Sequence, residues 1–246
     1  MSFWAKRRIL IKRYNVMIGI IGAMEEEVAI LKDRMENCTV TTIASMDFYE
    51  GILSGKEAVV CRSGIGKVNA AVCTQVLVDR FNVDTVINTG IAGSLNSTID
   101  IGDIVLSVDT LQHDVDAKGF GYEPGVIPRM ETSIFKADEW LVALAKECCE
   151  RVNPDIKVFT GRVLSGDQFI SDKILKARLT SFFRGDCTEM EGAAVAQAAY
   201  LNHIPFVIIR AISDKADDSA TEDYPVFEKK AIAHCVALVT ELLNKM

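Results

Sequence analysis

The chain has 246 residues, 49% apolar and 25% charged, a globular composition long enough to bury a sizeable core and unlike that of a fibrous or disordered protein. Its net charge is −7, and five of the 27 bases fall in the first sixteen residues, leaving 22 bases against 34 acids, or −12, for the remainder. So acidic a body argues against sequence-independent nucleic-acid binding, which needs a basic surface to displace counterions.

At the N-terminus, MSFWAKRRILIKRYN and the apolar run after it resemble a leader, but that run is short and ends in Glu25-Glu26-Glu27 rather than a cleavage site. Residues 1–16 read as an extension, since Met17 could itself initiate, ahead of a single domain over 17–246. VMIGIIG predicts a first buried strand. Glu25 to about Glu36 predicts a helix with Val28, Leu31 and Met35 at helical spacing. Strand-like runs follow at CTVTTIA, FYEGILSG and EAVVCRSG. Gly64-Ile65-Gly66 turns into a helix, KVNAAVCTQVLVDRF, and VDTVINTG is a β-branched strand ending in a glycine-rich turn, IAGS.

IGDIVLSVD predicts another strand. From Leu111 to Thr132, two prolines, three glycines and no clear period predict a long loop, and loops of that length are usually functional or disordered. A helix from Ala137 to about Arg151, a strand KVFTGRVLSGD and a helix around Ser171–Phe183 come next. DCTEME predicts a short strand that passes into the alanine-rich helix GAAVAQAAYLNH. IPFVIIRAISD is a buried strand, and an amphipathic helix reaches the C-terminus. Strands alternating with helices predict an α/β fold, a three-layer α/β/α sandwich with a mixed central sheet.

The seven cysteines form no CxxC pair and lie mostly in apolar runs, which suits a reducing, cytoplasmic compartment. Three scattered histidines give no metal-ligand spacing, and no apolar stretch reaches the roughly 18–20 residues of a membrane helix. No metal, cofactor, nucleic-acid or membrane partner is implied.

Ligands of α/β sheets gather at the carboxyl ends of strands. The segments there are GAMEEE, SGIGKVNA, NTGIAGS, SGDQFI, TEMEG and AISDKADD, rich in glycine and carboxylate with almost no cations. SGIGKVNA fails as a Walker A loop, with Cys61 at the first glycine position and Val68 at the hydroxyl position. Each acid has a structural explanation: Glu25, Glu26 and Glu27 suit a helix start, as do Glu189 and Glu191, and Asp214 suits a turn. Three acidic strand ends in one sheet point instead to acid/base chemistry on a small neutral or cationic molecule.

IGIIGAMEEEV, SGIGKVNAA, NTGIAGS, IGDIV, FGYEPG, SGDQFI, EMEGAAVAQ and VIIRAISDKAD, in this order, resemble the bacterial 5′-methylthioadenosine/S-adenosylhomocysteine nucleosidases. These belong to the purine nucleoside phosphorylase and uridine phosphorylase superfamily, and the resemblance covers essentially all of 17–246. It implies a phosphorylase/hydrolase-like fold and hydrolysis of an N-glycosidic bond, releasing adenine and a 5-thio-substituted ribose. It implies Glu27 as general base on the attacking water, Asp214 as proton donor to adenine N7, and Glu191 as holder of the ribose hydroxyls. Met190 would pack beneath the sugar, Phe169 would stack on adenine, the backbone of Ile170 would read the base edge, and Ser213 would orient Asp214.

By the same resemblance Ala92, Gly93 and Glu189 would line the substrate pocket. Phe227, in the segment before the last helix, would close the 5′-thio pocket with Met24 and Ile65. Core packing explains those last three equally well. A homodimer follows, with Phe120 and Pro128 of the long loop lining the neighbouring subunit's pocket. One departure matters: the glycine-rich turn, often NTG-Ser-AGG in the family, has Ile91 in place of the serine and adds Ser94.

Two rivals share these motifs. A nucleoside phosphorylase needs a cationic cradle, whereas these positions hold Met24-Glu25-Glu26-Glu27 and Lys67; a carboxylate there would repel phosphate by roughly several kcal/mol at low dielectric. An aminodeoxyfutalosine nucleosidase would use the same residues. A non-catalytic nucleoside binder is disfavoured, because Glu27, Glu191 and Asp214 are all present.

Overall fold

A computed structural model describes residues 16–246; residues 1–15, expected to form most of an extension, lie outside the described residues. The described residues form ten strands, β1 (Ile18–Gly22), β2 (Glu36–Ile43), β3 (Met46–Leu53), β4 (Lys56–Arg62), β5 (Thr85–Ser94), β6 (Ile104–Gln112), β7 (Phe135–Lys136), β8 (Val158–Ser165), β9 (Cys187–Glu189) and β10 (Phe206–Asp214). They also form six helices, α1 (Glu25–Asp33), α2 (Lys67–Phe81), α3 (Glu139–Val152), α4 (Lys173–Arg178), α5 (Gly192–Leu201) and α6 (Ala220–Lys245).

All ten strands join one mixed sheet. β1, β5 and β10 are parallel neighbours around β5, while β2, β3 and β4 form an antiparallel meander at the far edge. Helices α1, α3 and α6 bury Val28, Leu31, Leu141, Ala145, Ile232 and Val236 on one face. Helices α2 and α5 bury Ala70, Cys73, Leu77, Val195 and Ala199 on the other. The three-layer α/β/α arrangement with a mixed sheet is the one the alternation of strands and helices predicts.

Local chemistry sets the helix ends. Asp138 caps α3 by accepting from the N–H groups of Trp140 and Leu141. Asn82 ends α2 in the left-handed region, at φ 52°. The helix expected over 171–183 divides: α4 stops at Arg178 and a wider turn, Leu179–Phe183, follows. That turn seats Leu179 and Phe183 in a small third core with Leu164 and Ile170. The final helix begins at Ala220, so Phe227 lies within it rather than before it.

The strand order creates the cavity. β5 pairs with β1 only through Asn88, then runs on to pair with β9 at Gly93 and Ser94. Between those partners its backbone has a free edge, and the ligand-binding end of the sheet opens there. IAGS, expected to leave the strand as a turn, therefore continues it to Ser94.

Candidate active site

Glu27 fills the gap beside β5. Its Oε1 accepts from the Ile91 N–H at 3.1 Å, satisfying the backbone that β1 leaves unpaired. Its Oε2 accepts from the N–H groups of Ala23 at 2.7 Å and Met24 at 2.9 Å, which also fastens the start of α1. A β-carbon at Gly90 would collide with this carboxylate, and one at Gly22 would lie 3.0 Å from the Glu27 Cβ. These glycines are needed for the close approach of an acid. Burial pushes the Glu27 carboxyl above its ordinary range, against the pull of Arg210 and the three N–H donors.

Asp214 ends β10. The register with β5 shifts between Ile212 and Asp214, inserting Ser213 as a bulge. Neighbouring strand residues normally face opposite sides, and the bulge re-aims them so that Ser213 and Asp214 both line the cavity. Asp214 accepts from the Ser213 hydroxyl at 2.9 Å and the Ala216 N–H at 2.7 Å. A β-carbon at Gly93 would sit 2.7 Å from Asp214 Oδ1, so this glycine makes room for the second acid. Burial raises the Asp214 carboxyl, and Asp223 and Asp217 push it the same way.

Glu189 and Glu191, alike in sequence, have separate tasks. Glu189 Oε2 accepts from the N–H groups of Glu191 and Gly192, capping α5, and from Arg210 Nη2 at 2.5 Å. Its Oε1 takes a hydrogen bond from Ser165 Oγ. Glu191 instead reaches across to α2, accepting from the Gly66 N–H at 2.8 Å. Burial first, then the Glu189 charge, push the Glu191 carboxyl up to about 8.

Arg210 was not singled out from the sequence. It is 2% exposed and links Glu189 to Asn88, whose Oδ1 accepts from Nη2 at 2.5 Å. Burial disfavours its charge, but Glu189, Glu27 and Glu191 together hold it protonated. The available signal is a lone arginine inside the apolar run FVIIRAIS, because a buried guanidinium requires carboxylate partners.

These groups surround a cavity of about 380 Å³. Of the expected residues, it is lined by Met24, Glu27, Ile65, Ala92, Gly93, Phe169, Glu189, Met190, Glu191, Ser213 and Asp214. Ala23, Ile91, Thr188, Thr221 and Tyr224 complete the lining. The aromatic side chain that α6 supplies is Tyr224, edge-on to Phe169 with ring centroids 6.0 Å apart; Phe227 is not among the lining residues. The Ile170 side chain is buried in the third core cluster. Phe120 is 87% exposed at the end of a short turn, Lys118–Phe120, and neither it nor Pro128 lines this chain's own cavity. Ile91 lines the cavity, whereas the Ser94 hydroxyl turns to the carbonyls of Asn96 and Ile99 and supplies no substitute for the missing serine. Among the described residues no cluster of His, Cys, Asp and Glu is suited to a metal ion.

Lys67, the cation nearest a glycine turn of the site, is bound to Asp114 at 2.6 Å and to Gln112 at 2.9 Å. Among the described residues no lysine, arginine or histidine lines the cavity. The arrangement supports proton transfer at two separated points and has no cationic cradle for an anionic co-substrate.

The profile of the phosphorylase superfamily matches residues 17–244. A 5′-methylthioadenosine/S-adenosylhomocysteine nucleosidase of Bacillus cereus is 42% identical over 230 residues, 93% of this chain and 99% of the relative. The solved structure of such a nucleosidase from Colwellia psychrerythraea, in complex with adenine, superposes with TM-score 0.90 at 40% identity, covering 94% of this chain and 96% of that one. A futalosine hydrolase of Helicobacter pylori superposes with TM-score 0.89 at 33% identity, covering 94% and 99%. With the fold, the acid-lined cavity and these likenesses in agreement, the chain belongs to the phosphorylase superfamily and, within it, to the 5′-methylthioadenosine/S-adenosylhomocysteine nucleosidases.

Proposed function

We propose that the chain hydrolyses the N-glycosidic bond of 5′-methylthioadenosine and S-adenosylhomocysteine, and of 5′-deoxyadenosine, with water as nucleophile. The observation that carries this reading is the pair of buried acids lining one cavity, Glu27 against Gly90 and held by three backbone N–H donors, Asp214 against Gly93 at the β10 bulge. Water attacks C1′ of the ribose as the C1′–N9 bond breaks. The water's proton passes to Glu27, and the bond's electron pair enters the purine, which takes a proton from Asp214 at N7. Adenine leaves and C1′ keeps the new hydroxyl.

Positive charge develops on the sugar in such a transition state and is stabilised by the ionised Glu27, while Glu191 holds the ribose hydroxyls. A raised Glu27 is a stronger base, and a raised Asp214 keeps its proton toward neutral pH. Met190 supports the sugar, Phe169 stacks on the base, and Ile170 offers backbone rather than side chain to the base edge. Met24, Ile65 and Tyr224 form the 5′ end of the pocket. In this reading the protein is a homodimer in which the exposed Phe120, with Pro128, enters the neighbouring pocket.

Phosphorolysis is the poorer reading, because Arg210 is committed to Glu189 and Asn88 and Lys67 to Asp114 and Gln112. A futalosine-type substrate is favoured by the likeness to the Helicobacter pylori hydrolase alone. A cytoplasmic location is supported by seven free cysteines, and no helix of the described residues is long and apolar enough to cross a membrane.

The test is adenine release from both nucleosides, with and without phosphate, by wild type and Glu27→Gln. Release independent of phosphate, reduced about 10³-fold in the variant, is the expected result. Release that requires phosphate would overturn hydrolysis. Release from aminodeoxyfutalosine alone would reassign the substrate.

A further inference from the structure

Two consecutive backbone N–H groups open α2, and each holds a carboxylate from a different part of the site. The Gly66 N–H donates to Glu191, on the sugar side. The Lys67 N–H donates to Asp167 Oδ1 at 2.9 Å, two residues before the cavity-lining Phe169. The Lys67 side chain then continues the chain of contacts. Its ammonium binds Asp114 Oδ1 at 2.6 Å, and Asp114 Oδ2 accepts from the Asp167 N–H at 3.0 Å. Asp167 is thus gripped at both its backbone and its carboxylate, by Asp114 and by the first turn of α2.

The Lys67–Asp114 end of the grip is sheltered, while Asp167 itself is exposed. The side chains of Lys67 and Asp114 are only 17% and 18% exposed, and Gln112 accepts a further hydrogen bond from the ammonium at 2.9 Å. Gly66 lies at φ +98°, and a β-carbon there would stand 3.2 Å from Asp167 Oδ1, so the turn is shaped for this carboxylate's approach. Neither Lys67 nor Asp114 lines the cavity.

We propose that Lys67 and Asp114 are positioning residues: with Asp167 they form a clasp that holds the base-stacking loop, residues 166–170, in register with Ile65 and Glu191 on the sugar side. The clasp rests on the assignment of Phe169 to the base and of Glu191 to the ribose. A loop that is competent only part of the time binds with an affinity reduced by that fraction. Loss of the clasp therefore acts on binding, while the acids that move protons, Glu27 and Asp214, stay in place on α1 and β10. This account gives Lys67 a purpose other than phosphate binding, the role a lysine beside a glycine turn invites.

The experiment compares wild type, Lys67→Met, Lys67→Arg, Asp114→Asn and the Lys67→Met/Asp114→Asn double variant. KM and kcat for methylthioadenosine hydrolysis, adenine affinity by calorimetry and melting temperature are measured for each. Lys67→Met and Asp114→Asn should each raise KM and weaken adenine binding about tenfold while kcat falls less than about threefold. The double variant should be no worse than either single one, since both break the same unit. Lys67→Arg, which keeps the cation, should recover most of the affinity.

A lower melting temperature with KM and adenine affinity unchanged would reduce the pair to scaffold and overturn the proposal. Additive losses, or a loss in kcat alone, would overturn it equally. A wild type that neither binds adenine nor hydrolyses methylthioadenosine would instead remove the assignment of the site, and the clasp with it.

Discussion

Glu27 and Asp214 are both almost wholly buried, line the same cavity and rest against glycines of the same strand, Gly90 and Gly93. Their surroundings differ. Glu27 has three backbone N–H donors and the field of Arg210, all of which favour its charged form. Asp214 has one N–H and one hydroxyl donor, and two further acids, Asp223 and Asp217, that disfavour ionisation. Equal burial therefore yields one carboxyl poised to accept a proton and another poised to give one. Environment, rather than residue type, divides the acid from the base.

Removing the donor tests that division most severely. Asp214→Asn should lower kcat about 10²–10³-fold on adenine nucleosides. Asp214 works only while protonated, so activity falls as pH rises past its raised pKa, and that alkaline limb should disappear in the variant. Glu27 works only while ionised, so the acid limb should survive in Asp214→Asn and vanish in Glu27→Gln. An alkaline limb that persists in Asp214→Asn would belong to another group, and Glu191, at about 8, is the one whose titration falls there.

The difference in surroundings can also be erased from the other side. Arg210→Met leaves Glu189 buried without its cation, and breaking such a pair costs about 3–5 kcal/mol. Arg210 lowers the Glu27 pKa, so its loss should also move the acid limb of the pH–rate profile to higher pH. Adding Glu189→Gln should recover part of the stability, read by denaturant unfolding, without recovering the rate. A variant of wild-type stability and an unmoved acid limb would show that Arg210 does not set the two acids apart.

The legible part of the molecule was that carried by period and by acid-bearing motifs. The β-branched runs of β1, β5 and β10 and the helical spacing of α1 and α2 located the layers, and Glu27, Glu191 and Asp214 stood at strand ends. Gly93 in IAGS reads as a turn because glycine signals both a turn and a close approach; only the three-dimensional position of Asp214 tells which. Arg210 was hidden in an apolar run that correctly predicted a buried strand. The sequence points to Phe227 as lying before the last helix because nothing local marks the start of α6: Ser219 makes no side-chain cap, and Pro225 argues for a boundary that the helix ignores. The bulge at Ser213 has no sequence signature, yet it places that residue and Asp214 on one face.

Glu191 lies between the two extremes and gives the smallest and most diagnostic effect. Its carboxyl sits at about 8 in the folded protein against an ordinary value of 4.5. Below 4.5 both folded and unfolded chains hold the proton, and the group makes no difference to pH dependence. As pH rises from 4.5 toward 8, the unfolded chain releases the proton while the folded one retains it, so stability falls through this window and levels off above it. Glu191→Gln removes the liability and keeps an oxygen to accept from Gly66. It should therefore match wild type near pH 4.5 and exceed it increasingly up to pH 8, by ~2 kcal/mol, well short of the full linkage value because the charged acceptor for Gly66 is also lost. Unfolding in denaturant at both pH values reads this directly. A variant less stable than wild type at pH 8 would mean that the fold compensates the Glu191 charge, and the pH dependence of stability would have to be sought in another buried acid.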